Sequence, residues 1–185
     1  MALNLANRIS LLKLSLVPLF IASLLKYMHS EQELFRWLAI VIFLVATVCD
    51  FIDCYVARVK KQKTKLGTFL DPLGDKFLLN SAIIILSLPI AGLTRLPAWV
   101  TVAVISRDAV IVVGSLLVHL VQGRIEVIPS NLGKATAISQ MALVIWILCC
   151  VPSPWIMWII AGSLTVLSGI SYAYRGVKLF GENAS

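Results

Sequence analysis

Long apolar runs separated by short polar segments occupy most of this 185-residue chain. Hydrophobic residues make up 59% of the sequence, and the mean hydropathy of +0.94 is higher than a water-soluble domain tolerates. A helix needs about 20 mostly apolar residues to cross a bilayer. The pattern predicts an all-α, polytopic membrane protein with six transmembrane helices, at about residues 9–27, 34–57, 70–92, 97–121, 133–151 and 154–175.

These runs leave no stretch long enough for a separate soluble domain, so we expect a single integral membrane domain over residues 1–185. The first run has about the full length of a span, and no small-residue cleavage site is evident near its end. We therefore expect it to remain in the protein as a transmembrane helix rather than to be removed as a signal peptide.

The basic residues predict the orientation of the spans, because Lys and Arg are enriched in cytoplasmic loops. With the N-terminus inside, the three residues Lys26, Arg36 and Arg95 lie on the outer side and Arg107 lies within a span. The other twelve predict that both termini face the cytoplasm of a bacterial inner membrane: Arg8, Lys13, Arg58, Lys60, Lys61, Lys63, Lys65, Lys76, Arg124, Lys134, Arg175 and Lys178. The net charge of +7 then lies along a membrane face, which suits anionic lipid headgroups and phosphate-bearing substrates rather than nucleic acid.

Four of the nine acidic residues lie within 26 positions, at the ends of the second and third runs. Asp50 and Asp53 are three residues apart, and Asp71 and Asp75 are four apart, so each pair shares a helix face. A connecting loop of about ten residues returns the chain to the same membrane surface, where the two pairs can meet. Carboxylates at membrane depth are costly unless compensated, and four of them suit two Mg²⁺ or Mn²⁺ ions.

The spacing of these residues resembles the motif of the CDP-alcohol phosphotransferases, D-x2-D-G-x2-A-R-x8-G-x3-D-x3-D. Seven of its eight fixed positions match, as Asp50, Asp53, Ala57, Arg58, Gly67, Asp71 and Asp75. The resemblance implies a six-helix membrane core, dependence on Mg²⁺ or Mn²⁺, a homodimer, and displacement of CMP from a CDP-linked donor by an alcohol.

The same resemblance implies a role for each matching residue. Asp50, Asp53 and Asp71 bind the metals, while Asp75 is the general base for the acceptor hydroxyl and also a metal ligand. The nucleotide site comprises Asp53, Cys54, Ala57, Arg58 and Gly67. Cys54 stands where the motif has glycine, and its side chain takes space that a nucleotide would otherwise occupy.

Three further segments resemble those of bacterial phosphatidylglycerophosphate synthases in this family. They are Asn7–Lys13, the Arg107–Asp108 pair in the fourth run, and residues 130–140 with Gly133, Lys134 and Gln140. The resemblance implies CDP-diacylglycerol as donor and sn-glycerol 3-phosphate as acceptor. Lys13, Arg107 and Lys134 are the predicted acceptor-binding residues, because a phosphate would compensate cations at membrane depth. Two alternatives stay open: Arg107 pairs with Asp108, and Lys134 extends to the surface.

Three other functions remain open at this stage. A cardiolipin synthase of the same superfamily, with phosphatidylglycerol as acceptor, shares several of these features. A cation transporter would also bind ions through buried carboxylates, but the acidic residues lie at one face of the membrane only. A membrane scaffold with weakened catalysis would explain the cysteine at position 54.

Overall fold

The structure, a computed structural model, describes the backbone of residues 5–60, 65–122 and 131–182 and the side chains of 12–49, 76–114 and 131–174. Within these backbone ranges all of the regular structure is helical, which confirms the all-α prediction. The helices are α1 (Leu5–Ser30), α2 (Glu33–Lys60), α3 (Lys65–Leu86), α4 (Ala98–Gln122), α5 (Asn131–Leu148) and α6 (Pro154–Glu182).

The end of α2 and both ends of α3 differ from the predicted spans. Helix α3 ends at Leu86 rather than near residue 92, because Pro89 lacks the N–H that a continuing helix needs. The chain turns instead, with the Leu88 amide bonding to the Ile85 carbonyl. Helices α2 and α3 also extend towards each other, to Lys60 and from Lys65. Their connection is therefore shorter than the ten residues predicted.

Three helices contain segments that are long and apolar enough to cross a membrane. These are Leu12–Ser30 in α1, Asn131–Leu148 in α5 and Pro154–Tyr174 in α6. Helix α3 has a shorter apolar segment, Lys76–Leu86. Helices α2 and α4 comprise 28 and 25 residues and continue beyond the described side chains. The described residues therefore support a membrane protein with three candidate spans.

Large apolar side chains are exposed on all six helices within the described ranges. Such surfaces are unfavourable in water but match the hydrocarbon core of a bilayer. Tryptophans lie near the start of α2, α4 and α6, where Trp37, Trp99 and Trp155 are each about half exposed. Amphipathic aromatic rings at helix ends are typical of membrane–water interfaces.

The chain divides into two compact units, of which the first comprises residues 1–95 and 147–150. Helix α1 packs against both α2 and α3 in this unit. The rings of Phe20 and Phe43 lie 5.6 Å apart between α1 and α2, and both side chains are fully buried. Ala39 on α2 and Ala82 on α3 are also fully buried. Small residues of this kind are typical of tightly packed membrane helices.

A polar cluster closes one end of the first unit. Arg36 donates to Cys150 Sγ at 2.6 Å and pairs with Glu33 at 2.5 Å, while Cys150 Sγ contacts the Gly92 carbonyl at 3.4 Å. Gly92 has a φ of +74°, and a Cβ there would lie 2.7 Å from Tyr27 Oη. Only glycine fits both the backbone conformation and the space at this turn. The cluster links α1, α2, the α3–α4 loop and the end of α5.

The second unit comprises residues 96–146 and 151–185. Helix α4 packs against α6, and the Trp99 ring lies directly on Gly162, where a Cβ would overlap the ring. Buried Val100, Val104 and Ala161 belong to the same core. The absence of a side chain at position 162 therefore allows the ring to lie against the α6 backbone.

We predict that Gly162→Ala destabilises the protein by about 1–3 kcal/mol, because the Trp99 ring must move or α4 and α6 must separate. Gly114→Ala is the matched control, since among the described residues no atom outside the adjoining backbone of α4 lies within 4 Å of a Cβ there. It is expected to be neutral or to stabilise by up to about 1 kcal/mol. Thermal unfolding in detergent measures both variants. Equal unfolding temperatures for the two would show that the contact between Trp99 and Gly162 does not constrain the helices.

Candidate functional site

The residues of the predicted metal and nucleotide site lie on α2 and α3, but their side chains are outside the described residues. These are Asp50, Asp53, Cys54, Ala57 and Arg58 on α2, and Gly67, Asp71 and Asp75 on α3. Both stretches are helical, so each aspartate pair shares a helix face as predicted. Carboxylate oxygens are ligands that Mg²⁺ and Mn²⁺ prefer, so this donor set fits such ions. Among the described side chains alone, no group of three or more metal-binding residues gathers.

A buried ion pair lies within the apolar part of α4. Arg107 Nη1 donates to Asp108 Oδ1 at 2.7 Å, and the two side chains are only 10% and 9% exposed. Neighbouring residues of a helix point about 100° apart, so the long arginine side chain must bend back to reach the carboxylate. The pairing that was left open from the sequence is therefore present. It neutralises a charge that would otherwise be costly to bury.

Helix α6 supplies the remaining contacts of the Arg107 guanidinium. Its Nη2 donates weakly to Ser168 Oγ at 3.4 Å, and its Cζ lies 5.7 Å from the centre of the Tyr172 ring. The Cβ and Cγ atoms of Arg107 pass close to Gly169, each 3.6 Å from where a Cβ would stand. Cation, hydroxyl and ring thus form a compact group between α4 and α6, which we call the Arg107 cluster (Arg107, Asp108, Ser168 and Tyr172).

The Nε edge of the Arg107 guanidinium could bind a further group. Nη1 and Nη2 have partners, whereas Nε is buried and has no hydrogen-bond partner in the described part of the chain. An unsatisfied buried donor costs about 1–3 kcal/mol, and more for a charged group. A planar guanidinium with a free edge is suited to bind an oxyanion such as a phosphate.

A second polar group joins α5 to α6 in the same unit. Gln140 Nε2 donates to Thr165 Oγ1 at 2.9 Å, and that hydroxyl donates to the Ala161 carbonyl at 2.6 Å. Both side chains are fully buried. Nearby, the Thr136 hydroxyl lies 3.1 Å from the Leu164 carbonyl. Because hydrocarbon offers no hydrogen bonds, these contacts fix the pairing of the two helices.

The other two predicted acceptor residues are placed differently from Arg107. Lys134 is exposed on α5, in the same unit as Arg107, and forms no ion pair with another described residue. Its position fits the alternative in which the side chain extends to the surface. Lys13 is buried on α1, 4% exposed, and belongs to the first unit. Of the three predicted acceptor residues, Arg107 and Lys134 thus lie in the second unit and Lys13 in the first.

The polar residues of α6 were not predicted from the sequence. Thr165, Ser168 and Tyr172 are spaced three and four residues apart, which puts them on one helix face. Both Thr165 and Ser168 are fully buried. A polar stripe in an otherwise apolar helix was the signal that could have identified them, because polar groups in membrane helices usually face the protein interior.

Comparison with known proteins gives a consistent result. A sequence model of the family described as CDP-alcohol phosphatidyltransferase matches residues 3–167. A protein of Mycobacterium tuberculosis named probable phosphatidylglycerophosphate synthase is 32% identical over 184 residues, covering 96% of this chain and 84% of the relative. A Bacillus subtilis protein named CDP-diacylglycerol–glycerol-3-phosphate 3-phosphatidyltransferase is 35% identical over 150 residues, covering 76% and 74%. An Escherichia coli K12 protein of the same name is 29% identical over 181 residues, covering 93% and 94%.

We predict that Gln140→Leu and Thr165→Val each destabilise the protein, with the larger loss in Thr165→Val. That change leaves the buried amide without its partner, at a cost of about 1–3 kcal/mol. In Gln140→Leu the Thr165 hydroxyl keeps its bond to Ala161. The double variant should lose less than the sum of the single changes, with a coupling of about 0.5–1.5 kcal/mol. Strictly additive losses in thermal unfolding would contradict the bond between α5 and α6.

Proposed function

Since the chain belongs to the CDP-alcohol phosphatidyltransferase family, we propose that it is an enzyme that makes phosphatidylglycerol phosphate. It transfers a phosphatidyl group from CDP-diacylglycerol to sn-glycerol 3-phosphate and releases CMP. The observation that carries this proposal is the similarity, over nearly the full length of both chains, to proteins named for that reaction.

We infer that residues 1–185 act as one catalytic domain that holds two Mg²⁺ or Mn²⁺ ions. Asp50, Asp53, Asp71 and Asp75 would bind them, which the oxygen-ligand chemistry of four carboxylates supports. When bound, such ions neutralise the pyrophosphate of the donor and the charge that develops on CMP as it leaves. The cations would also remove the mutual repulsion of the four carboxylates.

The residues of the motif then divide the chemistry among them. The oxygen of the acceptor hydroxyl attacks the phosphorus joined to diacylglycerol while Asp75 accepts the proton of that hydroxyl. The bond from this phosphorus to the oxygen of CMP then breaks, and CMP leaves. Asp53, Cys54, Ala57, Arg58 and Gly67 line the nucleotide site. Cys54 narrows the space that glycine provides in the motif, so the donor contacts a side chain rather than bare backbone.

The acceptor site is proposed around cations that a phosphate compensates. Arg107 is its principal residue, because its guanidinium is nine-tenths buried and has a free Nε edge. Lys134 and Lys13 would add positive charge as the phosphate enters. The preference for a phosphorylated acceptor over a neutral alcohol then comes from the oxygen that a phosphate offers to the buried Nε of Arg107.

The membrane arrangement follows the same proposal. Six helices span a bacterial inner membrane, with the aspartates and both termini at the cytoplasm and the lipid tails of the donor in the bilayer. Trp37, Trp99 and Trp155 begin alternate helices, so they would mark the outer interface. The exposed apolar faces leave room for lipids and for a second copy of the chain in a homodimer.

The reaction is tested with purified protein, CDP-diacylglycerol and a panel of acceptors, scored by CMP release and by the lipid product. We expect turnover with glycerol 3-phosphate, its loss in excess chelator, and its recovery with Mg²⁺ or Mn²⁺. Asp75→Asn should lower the rate by about 10²–10⁴-fold while donor binding persists. Turnover with phosphatidylglycerol instead would identify a cardiolipin synthase. Full activity in chelator would exclude the metal proposal, and no CMP release with any acceptor would exclude the enzyme.

The orientation is tested with the thiols of the α5–α6 link, where Cys149 and Cys150 are both exposed. We predict that a membrane-impermeant maleimide labels them in intact spheroplasts, because the proposed topology puts this link outside. The Cys149→Ser/Cys150→Ser variant is the matched control, and it should lose that labelling. Labelling that depends on the same two cysteines but occurs only in inverted vesicles would reverse the orientation.

A further inference from the structure

The Arg107 guanidinium is held by a helix that carries none of the motifs recognised in the sequence. On α6, Ser168 Oγ lies 3.4 Å from its Nη2 atom, and the centre of the Tyr172 ring lies 5.7 Å from its Cζ atom. Ser168 is fully buried, and Tyr172 is half-buried. Asp108 holds the Nη1 atom, so the buried Nε edge is the one that lacks a partner in the described part of the chain.

We propose that Ser168 and Tyr172 are positioning residues that determine how tightly the acceptor phosphate binds, by fixing the Arg107 guanidinium before the acceptor arrives. This inference rests on the proposed function, in which Arg107 meets that phosphate. The two α6 side chains act through Arg107 and take no part in the transfer itself.

The physical reason is preorganisation. An arginine side chain loses much rotamer freedom when it is fixed, and a site that has already ordered it binds an anion more tightly. A guanidinium also recognises phosphate with a planar fork, so its orientation matters as much as its charge. Asp108 alone would hold one nitrogen and leave the plane free to rotate. The hydroxyl of Ser168 and the ring of Tyr172 add two contacts from α6 that restrict this rotation.

The contacts of Tyr172 and Ser168 with Arg107 are expected to depend on different chemical groups and to differ in strength. The Tyr172 ring attracts the cation through its π face, so the ring is needed and its hydroxyl is not. The Ser168 contact is a long hydrogen bond, so its loss should matter less than the loss of the ring. This ordering separates a role in positioning from general damage to the α4–α6 packing.

The test measures KM and kcat of the full-length protein for glycerol 3-phosphate, at saturating CDP-diacylglycerol with Mg²⁺ or Mn²⁺. Tyr172→Leu should raise the KM for glycerol 3-phosphate by about 5- to 30-fold, and Ser168→Ala by about 2- to 5-fold. The KM for CDP-diacylglycerol and kcat should stay within about twofold, because only acceptor binding changes. Tyr172→Phe should behave as wild type.

Two controls lie on the same helix with exposed side chains. Ser163→Ala and Tyr174→Leu remove the same groups away from Arg107, and both should leave every constant unchanged. A second readout is independent of turnover: equilibrium binding of radiolabelled glycerol 3-phosphate, with glycerol as the uncharged competitor. Thermal unfolding of each variant reports on folding. If Ser168→Ala fails to fold, Tyr172→Leu and Tyr172→Phe decide the question, because Tyr172 is only half-buried.

The outcomes distinguish this inference from the proposed function. Wild-type turnover with an unchanged acceptor KM in Tyr172→Leu and Ser168→Ala would overturn the positioning role alone. Weakened binding of glycerol 3-phosphate in these variants, without CMP release by the wild type, would support the positioning role and overturn the reaction. A wild type that binds no glycerol 3-phosphate would overturn both. An equal loss of kcat and of donor affinity would show a merely structural role for α6.

Discussion

Polar groups in these helices must find their partners inside the protein, because the surrounding hydrocarbon offers none. The simplest solution is local: Ser23 and Thr47 donate to carbonyls one turn earlier in their own helices. Gln140 is too long for that and bonds to Thr165 on the neighbouring helix. The charge of Arg107 requires a carboxylate, and breaking such a buried pair typically costs about 3–5 kcal/mol. Of these contacts, the bond from Gln140 to Thr165 is the one that requires two particular helices, α5 and α6, to lie side by side.

The two units carry different parts of the proposed reaction. The first contains the helices of the aspartate motif, and its described core is almost wholly apolar, with paired aromatic rings between α1 and α2. The second contains the Arg107 cluster and the polar pairs between α5 and α6. Metal chemistry requires ligands that repel one another until cations bind, whereas recognition of a phosphate requires a cation that is already neutralised and oriented. The Asp108 carboxylate meets the second requirement without any ligand.

Sequence periodicity predicted the helices well, because apolar runs of spanning length have few alternatives in a membrane. The proposed pairing of Arg107 with Asp108 is confirmed, whereas the placement of Arg107 inside a span stays a prediction. The predicted end of α3 near residue 92 was wrong, because Pro89 stops the helix although the run around it stays apolar. Hydropathy measures only how apolar a residue is and does not include this effect. Ser168 and Tyr172 could not be connected to Arg107, because 61 positions separate Ser168 from it and only the packing of α4 on α6 joins them. The roles of the aspartates stay predictions.

The connection between α5 and α6 bears on how the protein enters its membrane. It is short and conformationally restricted: Cys150 and Ser153 have φ values of 53° and 60°, and prolines stand at positions 152 and 154. A link of this kind brings the second helix back alongside the first as soon as both have been synthesised. Gln140 then meets Thr165 before it must face lipid by itself. We therefore expect α5 and α6 to insert into the membrane together as a helical hairpin. The hydrogen bond between Gln140 and Thr165 would form during insertion.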